Sequence, residues 1–426
     1  MHRSFTGIEK FKFVEPRGPL MNGLEYIRLL KNINPESEVW WDASPVCLPD
    51  FQTSMVRRYP ALRETIDTLL PQQPADCCFG MSGATTNPRL INAALFQARN
   101  YWTRRIASWS ERRDVTQASL TIYNQLVQQA AAQLETMWHC SGKRLGWLSA
   151  QVDPRYRNNS SAMVEQGLEL SRLAPNIMIK VPGSQAGYDA IEQLVAQGCS
   201  INNTFCFTVS QFAAGLEAIE RGRFRARLCG METAQARYVI TFMIGRFGAQ
   251  SEFDCEAKRR GITLTPEDKR WAELAVYEAI QTLRESRRTS VRLLLSSIKL
   301  DSDGSQGDQC WHLERTGERT TLYTLPAPII EFLLRRQGAG RPVVPARSPD
   351  IPRQVLNKLL RIDYFSQAYL LGGIEPANFS RHPAFITALQ YACAAQPERE
   401  GFIESVWTRQ PQQCTSVLPA QAGACS

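Results

Sequence analysis

The chain has no long hydrophobic run. In its 426 residues no window approaches the ~18 consecutive apolar residues of a membrane-spanning helix. The N-terminal segment Met1–Gly18 has no apolar core of the kind that marks a secretory signal, so a cytoplasmic protein is expected. Histidine is scarce, with four residues, and the 12 cysteines contain no CxxC. His139–Cys140 and Cys310-x-His312 lack partners at zinc spacing, so no metal site is expected and the cysteines read as reduced thiols. No GxGxxG or Walker motif follows the first candidate strand, which argues against a doubly wound nucleotide-binding sheet.

Long basic runs are missing too. Lys plus Arg exceed Asp plus Glu by 49 to 41, a net charge of +8, but the arginine pairs (Arg104–Arg105, Arg112–Arg113, Arg259–Arg260, Arg335–Arg336) are scattered. A nucleic-acid footprint needs a concentrated basic face, so nucleic acid is not an expected partner. A cleft for small anionic substrates fits a mild positive balance. Hydrophobic residues make up 43% of the chain, enough for a sizeable core.

Short β-rich runs alternate with helical patterns. Candidate strands are Glu38–Ala43, Cys78–Thr85, Leu145–Val152, Asn176–Pro182, Ser200–Cys206, Tyr238–Met243, Val291–Ser297 and Thr320–Thr324. Between them, Gly187–Gln197 reads as a helix capped by Ser184 and stopped by Gly198. Further helices are expected after Thr208 and over Ala327–Arg336. Eight strands each followed by a helix predict an α/β fold, a (β/α)₈ TIM barrel with a C-terminal helical extension. The expected organisation is an N-terminal arm over 1–37, the barrel over 38–337, a linker and helical extension over 338–395, and a mobile tail over 396–426. Residues 301–319 read as a polar insertion.

Lys180 lies in the apolar run Ile177-Met178-Ile179-Lys180-Val181-Pro182. Strand parity sets Ile177, Ile179 and Val181 on one face and Met178 and Lys180 on the other. In a barrel the second face points inward, and Lys180 lies near the C-terminal end, where barrel active sites form. A desolvated lysine has a lowered pKa and can attack a carbonyl as a free amine. The alternative is a strand-end lysine that snorkels to solvent. By the same parity Asp42, Gln151, Asn202, Thr204 and Thr241 face the interior.

Four segments recur in a telling order: Gly83-Ala84-Thr85-Thr86-Asn87-Pro88-Arg89, Gln151-Val152-Asp153-Pro154, Ile177 through Ser184, and Asn202-Asn203-Thr204 leading to Thr208. Together they resemble the transaldolase family, which includes the fructose-6-phosphate aldolases. The resemblance covers roughly Val39 to Thr324. It implies a Schiff-base lysine at Lys180, an acid/base at Asp42, and Gln151 with Thr204 holding a proton-shuttling water. It implies that Thr85, Asn87, Asn202 and Thr241 hold substrate hydroxyl and carbonyl groups. Arg246, Ser296 and Lys299 would meet a phosphate. Each of these has a plainer role open to it: Asp42 as a cap, the asparagines and threonine as partners of buried backbone, Lys299 as a surface lysine.

The chain departs from the pattern in three places. Most transaldolases carry Glu where Gln151 stands; Gln resembles the fructose-6-phosphate aldolase branch. That branch pairs it with a strand-six tyrosine, and here the position is Met243. Arg89 replaces a small residue, and either binds an extra anionic group or points to solvent. The resemblance implies an enzyme that cleaves or transfers a dihydroxyacetone unit of a sugar phosphate, requiring no cofactor, and a homo-oligomer is open. A related aldolase of specialised metabolism and a non-catalytic barrel are the alternatives.

Overall fold

The computed structural model describes residues 23–71, 80–109, 114–303, 307–346 and 350–409. Eight strands close a barrel: β1 (Glu38–Trp41), β2 (Gly83–Thr85), β3 (Trp147–Gln151), β4 (Ile177–Pro182), β5 (Ile201–Cys206), β6 (Tyr238–Phe242), β7 (Arg292–Leu295) and β8 (Leu322–Leu325). Every pairing is parallel, and β8 returns to β1 with Glu38 opposite Leu322 and Trp41 opposite Leu325. The fold is therefore the (β/α)₈ barrel that the alternating pattern predicts. Five helices matter for the site: α1 (Pro88–Gln97), α2 (Val115–Cys140), α3 (Pro266–Ser286), α4 (Pro383–Cys393) and α5 (Ala395–Thr408).

Strand alternation builds the interior in two storeys. Trp40, Trp147, Met178, Val239, Leu294 and Leu322, joined by Trp138, form one apolar cluster. They come from six strands and plug the lower barrel. The outward set, including Val39, Ala84, Leu148, Ile177, Ile179 and Val181, packs under the helices in a separate core. Two residues further along each strand the inward positions turn polar: Asp42, Ser149, Lys180, Thr241, Ser296 and Thr324. Below the plug, Glu38 accepts from Trp40 Nε1 (2.9 Å) and Ser82 Oγ (3.3 Å) and pairs with Arg237, which satisfies a buried charge.

Several strands are shorter than expected. β1 stops at Trp41, and β2 begins at Gly83; Cys77 and Cys78 lie outside the described residues. β8 starts at Leu322; just before it, Thr320 and Thr321 contact Asn34 and Gln281 below the sheet. The 301–319 insertion holds a two-stranded hairpin, Asp301–Asp303 with Gly307–Gln309, and a short helix.

The expected mobile tail is corrected over its first part. Residues 395–408 form α5, which buries Phe402, Ile403 and Val406. Arg399, also buried, fastens it: Nε donates to Ser119 Oγ and an Nη donates to Asn92 Oδ1, both at 2.8 Å. Its guanidinium lies over the Tyr123 ring, and Tyr123 OH donates to the Gln151 carbonyl at 2.6 Å. Residues 410–426 lie outside the described part. Among the described residues no helix is long and apolar enough to cross a membrane.

Helix Gln185–Ala196 follows β4 and starts as its cap predicts, with Ser184 Oγ accepting from Gly187 N at 3.1 Å. A Cβ on Gly187 would lie 1.9 Å from the Pro182 carbonyl. Gly187→Ala must therefore push the backbone that leaves the Lys180 strand. We expect it to destabilise the protein by about 1–3 kcal/mol, the usual cost of overpacking. An unchanged denaturation midpoint would show that the turn yields freely.

Candidate active site at the barrel mouth

β4 carries Lys180 between two neighbours at the same level: Gln151 of β3 and Asn202 of β5 are its register partners. Lys180 is buried, and its Nζ donates to the Thr86 carbonyl at 3.0 Å. Burial lowers its pKa to about 8, a fall that Asp42 opposes and Arg246 reinforces. An amine that loses its proton near 8 leaves about 300-fold more free base at neutral pH than an ordinary lysine. The snorkelling alternative does not describe this side chain.

Asp42 stands two residues after Trp40. Its Oδ1 accepts from Thr85 Oγ1 at 2.9 Å. Thr85 Oγ1 also lies 2.7 Å from Thr324 Oγ1, so Thr324 donates once Thr85 has given its proton to the carboxylate. Asp42 keeps some surface exposure, yet burial is the largest influence on it and raises its pKa. Lys180, Thr85 and Arg246 pull it back. Lys180, Asp42 and Arg246 therefore sense each other's charge, which places all three around one volume.

The inward polar groups form a wall beside that volume. Thr241 Oγ1 donates to Asn202 Oδ1 at 2.6 Å, and Asn202 Nδ2 donates to Ser149 Oγ at 2.8 Å. Thr204 is buried two residues further up β5, level with Pro182. Gln151 Nε2 and Ser296 Oγ are both buried and hydrogen-bond to nothing among the described residues. Buried donors of this kind need a partner. Asn87 is different: its Oδ1 caps α1, accepting from Arg89 N (2.9 Å) and Leu90 N (3.0 Å). Only its amide Nδ2 is left to face a ligand.

Arg246 lies on a one-turn helix, Ile244–Phe247, directly after β6. Gly245 lets this turn approach the neighbouring loop: a Cβ there would lie 2.1 Å from the Ser297 carbonyl and 3.0 Å from Lys299 Cγ. Lys299 is half-buried beside it, and burial lowers its pKa. The 301–319 insertion holds Lys299 in place. His312 Nδ1 accepts from Lys299 N at 3.3 Å, Cys310 Sγ donates to the Lys299 carbonyl at 3.3 Å, and His312 Nε2 meets Glu273 of α3 at 2.8 Å. Those two side chains are occupied by this loop. Among the described residues no group of three His, Cys, Asp or Glu is arranged to hold a metal.

Two non-glycine residues at the mouth have left-handed backbones, Phe205 (φ 56°) and Ser297 (φ 60°). Such residues cost about 1–3 kcal/mol each and cluster at functional sites. Phe205 sits at the β5 irregularity, where the ladder slips between Asn203 and Cys206.

Residues 63–331, more than half of the chain, match the sequence model of the family described as Transaldolase/Fructose-6-phosphate aldolase. The chain belongs to this family. A transaldolase of Mycobacterium ulcerans is 31% identical over 167 residues, 38% of this chain and 44% of that protein. Transaldolase 1 of Streptomyces coelicolor is 32% identical over 175 residues, 40% and 45% of the two chains. A transaldolase of Mycobacterium tuberculosis is 31% identical over 182 residues, 42% and 48%. The chain thus spans less than half the length of these curated relatives.

The family match begins at residue 63 and ends at 331, so Asp42 and both C-terminal helices fall outside it. The helical extension expected over 338–395 carried no expected site residue, yet its helix α4 crosses the mouth of this transaldolase-family barrel. Phe385 packs edge-on against Phe205 (5.5 Å between centroids), and Thr387 donates to Gln250, which donates to the Arg246 carbonyl. His382 starts the helix, accepting from Ala384 N; burial pushes its pKa down to about 3, so it stays neutral between Phe207 and Tyr364. Arg89, read as meeting an anionic group or solvent, has an aromatic neighbour on α4: its guanidinium lies over the Tyr391 ring.

Proposed function

We propose that the protein is a transaldolase-type class I aldolase, with the barrel over 38–337 as its catalytic unit and 338–395 as a linker and C-terminal helical extension. The observation that carries this is a buried Lys180 with a lowered pKa, within the charge field of Asp42 and Arg246. The neutral Nζ adds to the carbonyl carbon of a ketose phosphate, and loss of water leaves an iminium. Asp42 takes the proton of the substrate's C4 hydroxyl as the C3–C4 bond breaks. The bonding pair moves into the iminium, an enamine forms, and an aldehyde leaves. The enamine attacks an acceptor aldehyde, with Asp42 returning its proton, or is protonated and hydrolysed.

Gln151 cannot serve as a carboxylate base, but its orphaned Nε2 can hold a water beside Lys180, with Thr204 above it. Asn202 and Thr241, with the Asn87 amide, are assigned to substrate hydroxyls, and Arg246, Ser296 and Lys299 to the phosphate. Arginine supplies the planar donor fork, and the unpartnered Ser296 hydroxyl supplies one more donor. The alternatives, another substrate or a non-catalytic barrel, have no specific contact in their favour.

The test is reductive trapping. Fructose 6-phosphate followed by borohydride should add the mass of a reduced dihydroxyacetone unit at Lys180; wild-type protein without that adduct would sink the reading. The pH dependence of trapping is a second check. A lysine with pKa about 8 must be deprotonated to attack, so acid suppresses the reaction. Trapping should fall about tenfold per unit below pH 8 and level off above it. A rate still climbing beyond pH 10 would mean an unperturbed lysine.

A further inference from the structure

Two arginines meet one ring at the mouth. Arg89, the second residue of α1, has its guanidinium carbon 4.5 Å from the Tyr391 ring centroid. Arg246 has its own 4.6 Å from the same centroid. The two cations come from opposite parts of the barrel, after β2 and after β6, and converge on a side chain from α4. One ring thus brings two cations to the same part of the mouth, and positive charges gathered there favour an anionic ligand. Among the described residues neither arginine has a carboxylate within ion-pair distance, although the chain forms many Arg–carboxylate pairs elsewhere. Lys299 and Lys180 add positive charge near Arg246, and Asp42 is the one carboxylate whose charge Arg246 feels among the described residues.

The ring is not there for burial. Tyr391 is 47% exposed, on a helix whose apolar face is Phe385, Ala388 and Leu389. What it does is orient guanidinium planes, because cations are drawn to an aromatic face and arginine stacks on it. Its helix is fixed from below by Phe385 on Phe205 and by the Thr387–Gln250–Arg246 chain of hydrogen bonds. Tyr391 therefore has a fixed position, and the two arginines are set by it.

We propose that Arg89, held with Arg246 by the Tyr391 ring, forms the second arm of an anion clamp that grips the phosphate dianion of the substrate and makes the enzyme selective for phosphorylated ketoses. This deepens the assignment of Arg246 above. A phosphate monoester carries about two negative charges, which two guanidinium groups match. Arg89 is a binding residue in this arrangement and Tyr391 a positioning residue.

Binding of inorganic phosphate to the full chain, measured by calorimetry, reads the clamp without any turnover. Arg89→Ala and Tyr391→Ala should each weaken phosphate binding by about tenfold or more. Tyr391→Phe should bind like wild type, because the ring and not the hydroxyl orients the arginines. The preference for fructose 6-phosphate over unphosphorylated dihydroxyacetone in trapping at Lys180 should fall in parallel for the two alanine variants. Arg89 is partly exposed and Tyr391 is half-exposed, so the variants should fold; matching melting temperatures check this. Unchanged phosphate affinity in Arg89→Ala, or a Tyr391→Phe as weak as Tyr391→Ala, would overturn the clamp. A wild type that binds phosphate but forms no adduct at Lys180 would refute the aldolase reading and leave the clamp standing.

Discussion

Replacing Lys180 with methionine is expected to lower turnover by about 10⁴-fold or more and to abolish borohydride trapping, the scale on which loss of a covalent nucleophile is felt. The substitution is chosen to isolate chemistry from packing. Methionine keeps an unbranched stem of similar reach among Met178 and the inward residues of β3 and β5. It loses the donor to the Thr86 carbonyl, whose partner Lys180 supplies at 3.0 Å. An unsatisfied buried acceptor costs about 1–3 kcal/mol, so some loss of melting temperature is expected without loss of fold. A buried lysine below its normal pKa also costs folding energy, which methionine does not, so the two effects oppose each other. Steady-state rates and a thermal melt on the same preparation separate them. Turnover within tenfold of wild type in a folded Lys180→Met would remove the Schiff base from the mechanism.

The barrel was legible because its alternation is strict. In Ile177–Pro182 the outward residues are aliphatic and the inward ones are Met178 then Lys180, and the structure places them so. The same two-residue step from Trp40 to Asp42 and from Val239 to Thr241 exposes the change from plug to polar wall. Asn87 was read as a substrate contact or a partner of buried backbone; its oxygen caps α1, as an Asn-Pro pair opening a helix ordinarily does, which leaves only the amide for a substrate. What the sequence hides is whatever depends on residues far apart meeting. Arg89 and Tyr391 are separated by some three hundred positions, and no periodicity in either helix points across the mouth. α5 was hidden for another reason. Gln, Pro and Glu near its start look like tail, but the helix is fastened by a polar interface, Arg399 to Asn92 and Ser119, to which hydrophobic patterning is blind. Only Phe402, Ile403 and Val406 marked one face.

Asp42→Asn should slow C–C cleavage by about 10²–10⁴-fold, the usual worth of a positioned acid/base, while leaving Schiff-base formation intact. The geometry makes the two effects separable. Asparagine can still accept from Thr85 through its oxygen, so the contact at 2.9 Å and the Thr324 link behind it can survive. It cannot take a proton from a substrate hydroxyl. It also removes the negative charge that now raises the pKa of Lys180, leaving burial and Arg246 to lower it unopposed. The amine should then lose its proton at a lower pH than in wild type. Trapping in Asp42→Asn, now of the uncleaved ketose phosphate, is therefore expected to persist at pH 7 and to keep its rate further into acid, with the acid limb shifted downward from about 8. A merely structural aspartate would move neither limb and would cost both steps alike. The measurement is the pH profile of trapping beside that of fructose 6-phosphate cleavage. Cleavage at the wild-type rate would take the proton transfer away from Asp42; equal loss of trapping and cleavage would make it a support for Lys180 rather than a reactant.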